Sequence, residues 1–460
     1  MSGAKYTLPH SPSKRCLDRF SILDIDEQED GLVPFWQILE EVLRQPVRTT
    51  AQFVEVLDTI SCTLRETSGV ADDYGTLRRV VDQTGPEFFQ VIWPNIVRHA
   101  LSLKQHFPDA YIPILSAGDT LALSHSQVAS LVSHQFLCTL ECPSWRDGYH
   151  DFSIWYGSEQ RHSIAAEMYL ASLFEYFKMM NPQGETSQDE GDAIMFKLNS
   201  SALDSSVHSP EWKQVALTQL RVVRVPCYSS DLQRPECQGS EGAVVVSANK
   251  DIGFGQSATQ EEVFVGNTPE ACPAVLFVPT LEGDCALLIE GARPMITIQG
   301  QRREVSWEVL PVDARIGGRM LFMDALEIDE LDQDDGLLPD LEPEHMEREI
   351  RKAFAAFSSY GSSELDGYVW SGIWGCGAFN GDPVVKMIVV WIAASSSRKE
   401  LFIVCDPFYQ DFADTFERFA ARAQESWNAM DLWLWLGRIP RNTKRLETLR
   451  LLQDAVEEAR

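Results

Sequence analysis

Through the first 180 residues, apolar side chains recur every three or four positions; beyond that they come in short, nearly continuous runs. The first spacing predicts helices with one buried stripe, the second predicts strands. PFWQILEEVLRQ (Pro34–Gln45) opens with a proline at a first helical position, where its missing N–H costs nothing. FFQVIWPNIVRHALSL (Phe88–Leu103) carries Pro94 inside it, which predicts a kink or a break. SHSQVASLVSHQFLCTL (Ser124–Leu140) and IAAEMYLASLFEYFKMM (Ile164–Met180) complete four strong helical segments. Residues 1–30, polar and containing Ser and Pro, are expected to form a flexible arm, and 31–190 an all-α accessory region.

After Met180 the texture changes. NPQGETSQDEGD reads as a polar loop, and from about residue 193 the runs AIMFKL, LRVVRV, AVVVSA, AVLFVP, ALLIE and LFIVCD read as strands. Helical segments Glu342–Ser359, Asp382–Ser395 and Gln410–Trp427 interleave with them. Apolar strands alternating with helices predict a mixed α/β sheet buried on both faces, spanning 191–440. A charged C-terminal helix over 441–460 follows.

Charge narrows the function. Against 39 Lys and Arg stand 68 Asp and Glu, a formal net charge of −29. Coating DNA or RNA by counterion release needs basic surface, so that class is excluded and no direct DNA binding is expected. A polyanionic ligand is still admissible, because backbone N–H groups and helix ends can build a local anion site. Residues 321–349 hold twelve acids and one Arg348, expected as a solvated loop and helix start. Ten cysteines without CxxC, nine histidines without HExxH, and no P-loop or GxSxG leave no metal, NTP or serine-hydrolase signature. No run of 18 apolar residues and no secretory segment in MSGAKYTLPHSPSKRCLDRF predict an intracellular chain with no membrane partner.

Two loops carry candidate chemistry. In VVVSANKDIGFGQSATQEEVFVG (244–266) a strand ends near Ala248, and Gly253 and Gly255 would let backbone approach a ligand. Glu261 and Glu262 follow. Glycosidic cleavage needs one carboxyl to protonate a leaving oxygen while a neighbour holds a sugar hydroxyl, and adjacent carboxylates raise one another's pKa. In GIWGCGAFNGDPVVKMIVVWIAA (372–394), Gly375, Gly377 and Gly381 precede a helix starting near Asp382–Pro383. Free N–H groups at that helix start would hold an anion without a lysine, and Phe379 could stack on a sugar or base. Together the loops suggest a cleft for a nucleotide-like diphosphate with a carboxylate at one end.

These stretches resemble the eukaryotic-type poly(ADP-ribose) glycohydrolases. The resemblance is carried by 123–139, 247–265, 321–326 with 346–354, and 372–394, in the family's order. It implies an α/β fold, a macrodomain-like mixed sheet flanked by helices and preceded by an all-α accessory region. It also implies a hydrolase, a glycosidase cleaving ribose–ribose O-glycosidic bonds of poly(ADP-ribose) to release ADP-ribose, without cofactor or metal. Glu262 would be the general acid/base, and Glu261 would bind hydroxyls of the cleaved ribose. Asn249 would contact the same ribose, with Gln260, Gly253 and Gly255 beside it. Gly375, Cys376, Gly377, Ala378 and Phe379 match the diphosphate loop, and Glu236 the acid on the adenine edge. Implied partners are poly(ADP-ribose), ADP-ribose and poly(ADP-ribosyl)ated proteins; the implied setting is the DNA damage response, in the nucleus, the cytoplasm or both.

The sequence also departs from the family. Gly253-Phe254-Gly255 replaces three consecutive glycines, Val246-Ser247 replaces Asp-Phe, Met295–Arg303 has no tyrosine, and Ile373 replaces Asn. An adenine-stacking phenylalanine is not evident, though Phe408 is close to the expected place. Two readings follow: an active glycohydrolase, or a degenerate macrodomain protein that binds ADP-ribose without turnover.

Overall fold

The computed structural model describes residues 4–23, 31–65, 73–180, 193–201, 215–227, 229–230, 242–300, 304–328, 338–361, 367–445 and 447–458. Its centre is an eight-stranded sheet of Thr120–Ser124 (β1), Ala193–Ser200 (β2), Leu220–Arg224 (β3), Gly242–Ala248 (β4), Cys285–Glu290 (β5), Arg319–Asp324 (β6), Gly367–Ser371 (β7) and Lys399–Cys405 (β8). The spatial order is β1-β2-β5-β6-β4-β7-β8-β3. From β6 to β3 all neighbours are parallel; β1, β2, β5 and β6 pair antiparallel. The parallel block places the loops after β4, β6, β7 and β8 along one edge, where ligands of open α/β sheets bind.

Side-chain alternation divides each central strand between two cores. Val244, Val246, Met320 and Phe322 join Leu39, Phe136 and Tyr169 of the helical region in one. Ala243, Val245, Leu321 and Met323 join the helices Pro343–Phe357 and Pro383–Ser396 in the other. The helical region therefore shares its core with one face of the sheet.

The helices form near the expected places. Phe35–Arg44 keeps Pro34 outside, as its cap. Phe88–Ile92 is a π-type turn running into Trp93–Leu101, so Pro94 sits in a first turn and needs no broken bond. Ser124 and Gln127 close a capping box on His125–Phe136.

Three expectations are corrected. AVLFVP (274–279) is not a strand: Pro269–Leu276 is a buried 3-10 stretch containing Pro273, a residue unsuited to a central ladder. The first residues are not a loose arm throughout, because Lys5–Thr7 pairs with Tyr111–Pro113 and Arg15–Leu17 with Leu32–Pro34, burying Tyr6 and Leu8. The accessory region is not purely helical, since it supplies β1 to the main sheet.

Candidate active site

The loop after β4 leads into the helix Gln260–Asn267, and both glutamates fall in its first turn. There the helix dipole favours carboxylates, and the unpaired amides of loop and helix start need acceptors. Glu262 supplies one: its Oε2 accepts the amides of Ser257 at 2.7 Å and Thr259 at 3.1 Å, while the Thr259 side chain caps the helix in return. Its Oε1 accepts no hydrogen bond among the described residues and is packed against Gly255, whose missing Cβ would sit 2.0 Å away.

Glu261 is buried, and each oxygen takes one loop amide, Oε2 from Asn249 at 2.8 Å and Oε1 from Gly253 at 2.7 Å. It thereby clamps both ends of the Asn249–Gly253 turn. Burial pushes its pKa up to about 8, and Glu262 adds to the rise; the two amides and the Arg146 guanidinium oppose it. Gln260 lies at the cleft wall but spends its side chain on β4, accepting from Ser247 N at 3.1 Å and donating to Val245 O at 3.4 Å. Asn249 is exposed, and its Oδ1 accepts the amide of Asp251 at 3.0 Å.

The second loop follows β7. Gly375 has φ 75°, a left-handed conformation that glycine adopts without penalty, and Gly381 N closes back on its carbonyl at 3.0 Å. Trp374 is buried and donates to Met323 O at 3.0 Å, anchoring the loop to β6. The amides of Gly377, Ala378 and Phe379 have no acceptor among the described residues. The helix start, by contrast, is not a free anion site. Asp382 caps Val384 and Val385 with its own carboxylate, and Pro383 has no N–H. Anion binding here falls to the loop amides.

Both loops open on one cleft of about 480 Å³, lined by Asn249, Gly253, Gly255, Gln260, Glu261, Glu262, Gly375, Gly377, Ala378 and Phe379. Cys376 does not line it: it is buried, its thiol donates to Trp374 O, and its amide donates to Ile373 O at 3.2 Å. Glu236 lies outside the described residues. Phe408 also stays out of the lining, 86% exposed, while its neighbour Tyr409 lines the wall.

Several contributors had no local signature. From the helical region, Trp155 Nε1 donates to Gly255 O at 2.8 Å, and Phe254 packs against Phe152 and Trp155 with ring centroids 5.2 and 5.4 Å away. This burial explains how phenylalanine can stand where the family has glycine. Arg146 comes from the same region and lines the cleft beside Gly253.

The acidic run is not simply solvated. Asp324, Asp340 and Glu349 are buried on the cations Arg348, Lys352 and Lys386. Lys386 lies under the second loop, where a Cβ on Gly381 would come within 2.5 Å of its Cε. Burial pushes Asp340 up to about 6 against the pull of Lys386. Residues 329–337 of the run lie outside the described residues.

Two family models meet this geometry. The poly(ADP-ribose) glycohydrolase helical domain matches residues 81–197, and its macro domain fold matches 209–410. The chain belongs to the poly(ADP-ribose) glycohydrolase family. Poly(ADP-ribose) glycohydrolase 1 of Caenorhabditis elegans is 27% identical over 324 residues, 67% of this chain and 38% of that protein. Poly(ADP-ribose) glycohydrolase 2 of the same organism is 30% identical over 322 residues, 67% of this chain and 62% of that protein. The chain thus spans under two thirds of the length of either relative. A poly(ADP-ribose) glycohydrolase from Deinococcus radiodurans solved with ADP-ribose is 15% identical, covering 46% of this chain and 87% of its own, with a TM-score of 0.35.

Proposed function

We propose that this protein hydrolyses ribose–ribose O-glycosidic bonds of poly(ADP-ribose), releasing ADP-ribose, with Glu262 as general acid and then general base. The observation that carries the proposal is that Glu262 and the unpartnered amides of Gly377–Phe379 face one cleft. Three amide donors without a side-chain charge suit a diphosphate. At the other end, amides fix Oε2 of Glu262 and leave Oε1 to pass a proton to the departing ribose oxygen and to take one from the attacking water. Glu261 holds the turn around the reacting ribose, and its oxygens retain lone pairs for sugar hydroxyls.

Poly(ADP-ribosyl)ated proteins as partners, a role in the DNA damage response and a nuclear or cytoplasmic location belong to the same proposal, because they follow from the substrate class. Binding without turnover is the competing reading, and Gly253-Phe254-Gly255 in place of three consecutive glycines is the observation in its favour.

One experiment separates the two. Labelled polymer is incubated with the wild type and with Glu262→Gln, and ADP-ribose release is timed. General acid/base catalysis contributes about 10²–10⁴-fold, so a loss of that size is expected. Wild type that binds ADP-ribose but releases none from polymer decides for the binding module. A Gln variant as fast as wild type removes Glu262 from the chemistry.

A further inference from the structure

We propose that Arg146 forms a second subsite, binding the diphosphate of the ADP-ribose unit on the leaving side of the scissile bond. The inference deepens the function proposed above and rests on it.

Among the described residues lining the cleft there are four carboxylates, Asp251, Glu261, Glu262 and Asp406, and a single cation, Arg146. Arg146 is 8% exposed, and only its Nε is used, donating to Tyr149 O at 2.8 Å. Its two terminal nitrogens meet no acceptor among the described residues, and no hydrogen bond or ion pair joins it to Glu261, whose oxygens are taken by Asn249 and Gly253. Two glycines make its room: a Cβ would stand 2.3 Å from Nη2 at Gly253 and 3.2 Å away at Gly148. Its four terminal N–H donors are free for a ligand at the cleft wall, and the guanidinium fork matches phosphate oxygens.

Position selects which phosphates. The terminal unit's own diphosphate has its cradle in the amides of Gly377–Phe379, on the loop packed over Ala325 and Lys386. Arg146 stands at the other end, against Gly253, whose amide Glu261 holds, beside the carboxylates. In the polymer the severed bond joins a ribose to the adenosine of the next unit, and the diphosphate of that unit is the nearest anion beyond the bond. In a cleft otherwise acidic, Arg146 offsets the repulsion it would meet.

The test compares two substrates sharing one terminal unit: the ADP-ribose dimer, and ADP-ribose carrying 4-nitrophenol at the same ribose carbon. For Arg146→Gln we expect KM for the dimer to rise roughly 10- to 100-fold, and the dimer to lose at least tenfold more kcat/KM than the nitrophenyl substrate. Arg146→Lys should recover part of the loss, and thermal melting of both variants reports folding. Equal losses on both substrates overturn the proposal, because Arg146 then acts through Glu261 or the fold. An ADP-ribose Kd that rises by the same factor also overturns it, since Arg146 then holds the terminal unit's own phosphates.

If wild type cleaves neither substrate, the hydrolase reading fails while the subsite is still decided by calorimetry. Wild type should then bind dimer more tightly than ADP-ribose and Arg146→Gln should remove the difference. Equal wild-type affinities refute it.

Discussion

A methyl group at position 255 would fall in the space of the Glu262 carboxylate. A Cβ there lies 2.0 Å from Oε1, 2.7 Å from Cδ and 3.2 Å from Cγ, where real Cβ contacts essentially never come under 3.0 Å. The loop has little freedom to yield, because Gly255 O accepts from Trp155 at 2.8 Å. The carboxylate must therefore retreat by about 1 Å, and Ser257 N and Thr259 N hold it on Oε2. Breaking either bond to a charged group costs about 1.5–3 kcal/mol, and a displacement near 1 Å can cost on the order of 100-fold in rate. The backbone at Gly255 is not left-handed, so alanine adds no φ strain and the effect isolates the methyl group. Gly255→Ala should lower kcat for ADP-ribose release about 100-fold at saturating polymer. Combined with Glu262→Gln it should add little, since both changes remove one group's action. Gly255→Ala turning over within about threefold of wild type would refute the reasoning.

Three further outcomes are expected. Trp155→Phe keeps the ring packing but leaves the Gly255 carbonyl without its donor, at a cost of about 1–3 kcal/mol in chemical denaturation and a fall in kcat larger than any change in KM; unchanged kcat would detach the helical region from the loop. Glu261, with a folded pKa near 8, keeps a proton that the unfolded chain releases from about 4.5 upward, so the unfolded state binds fewer protons in that window. Stability should fall as pH rises from about 4.5 to 8, and the melting temperature of Glu261→Gln relative to wild type should rise across the same range; a flat difference contradicts the shift. Lys386→Met leaves Glu349 and Asp340 buried without their shared ammonium, so urea unfolding should show a loss of about 3–5 kcal/mol, and an unchanged midpoint would show the pair to be neutral.

The strands Gly242–Ala248 and Lys399–Cys405 and the loop glycines were readable because each depends on neighbours within a few residues. Val244-Val245-Val246 is apolar on both faces, as a parallel strand between two layers must be. The run 274–279 misled because an apolar stretch of that length suits a buried turn as well as a strand, and only its packing decides between them. β1, β6 and β7 were not read as strands: β1 runs directly into the capped helix His125–Phe136, and β6 and β7 are short segments whose pairing partners lie far away in the chain.

By itself, the chain's order of residues determined the α/β class, the pairing of Glu261 with Glu262 beside a glycine turn, and the uncharged second loop. These are properties of local spacing and backbone freedom. Only the tertiary structure decided that Trp155 would hold a carbonyl 100 residues away, that Arg146 would line the cleft, and that Lys386 would lie beneath the neutral loop. The physical reason is that burial in a shared core joins segments remote in the chain. Which polar groups meet across that core depends on how helices and sheet pack, a property that no local pattern encodes.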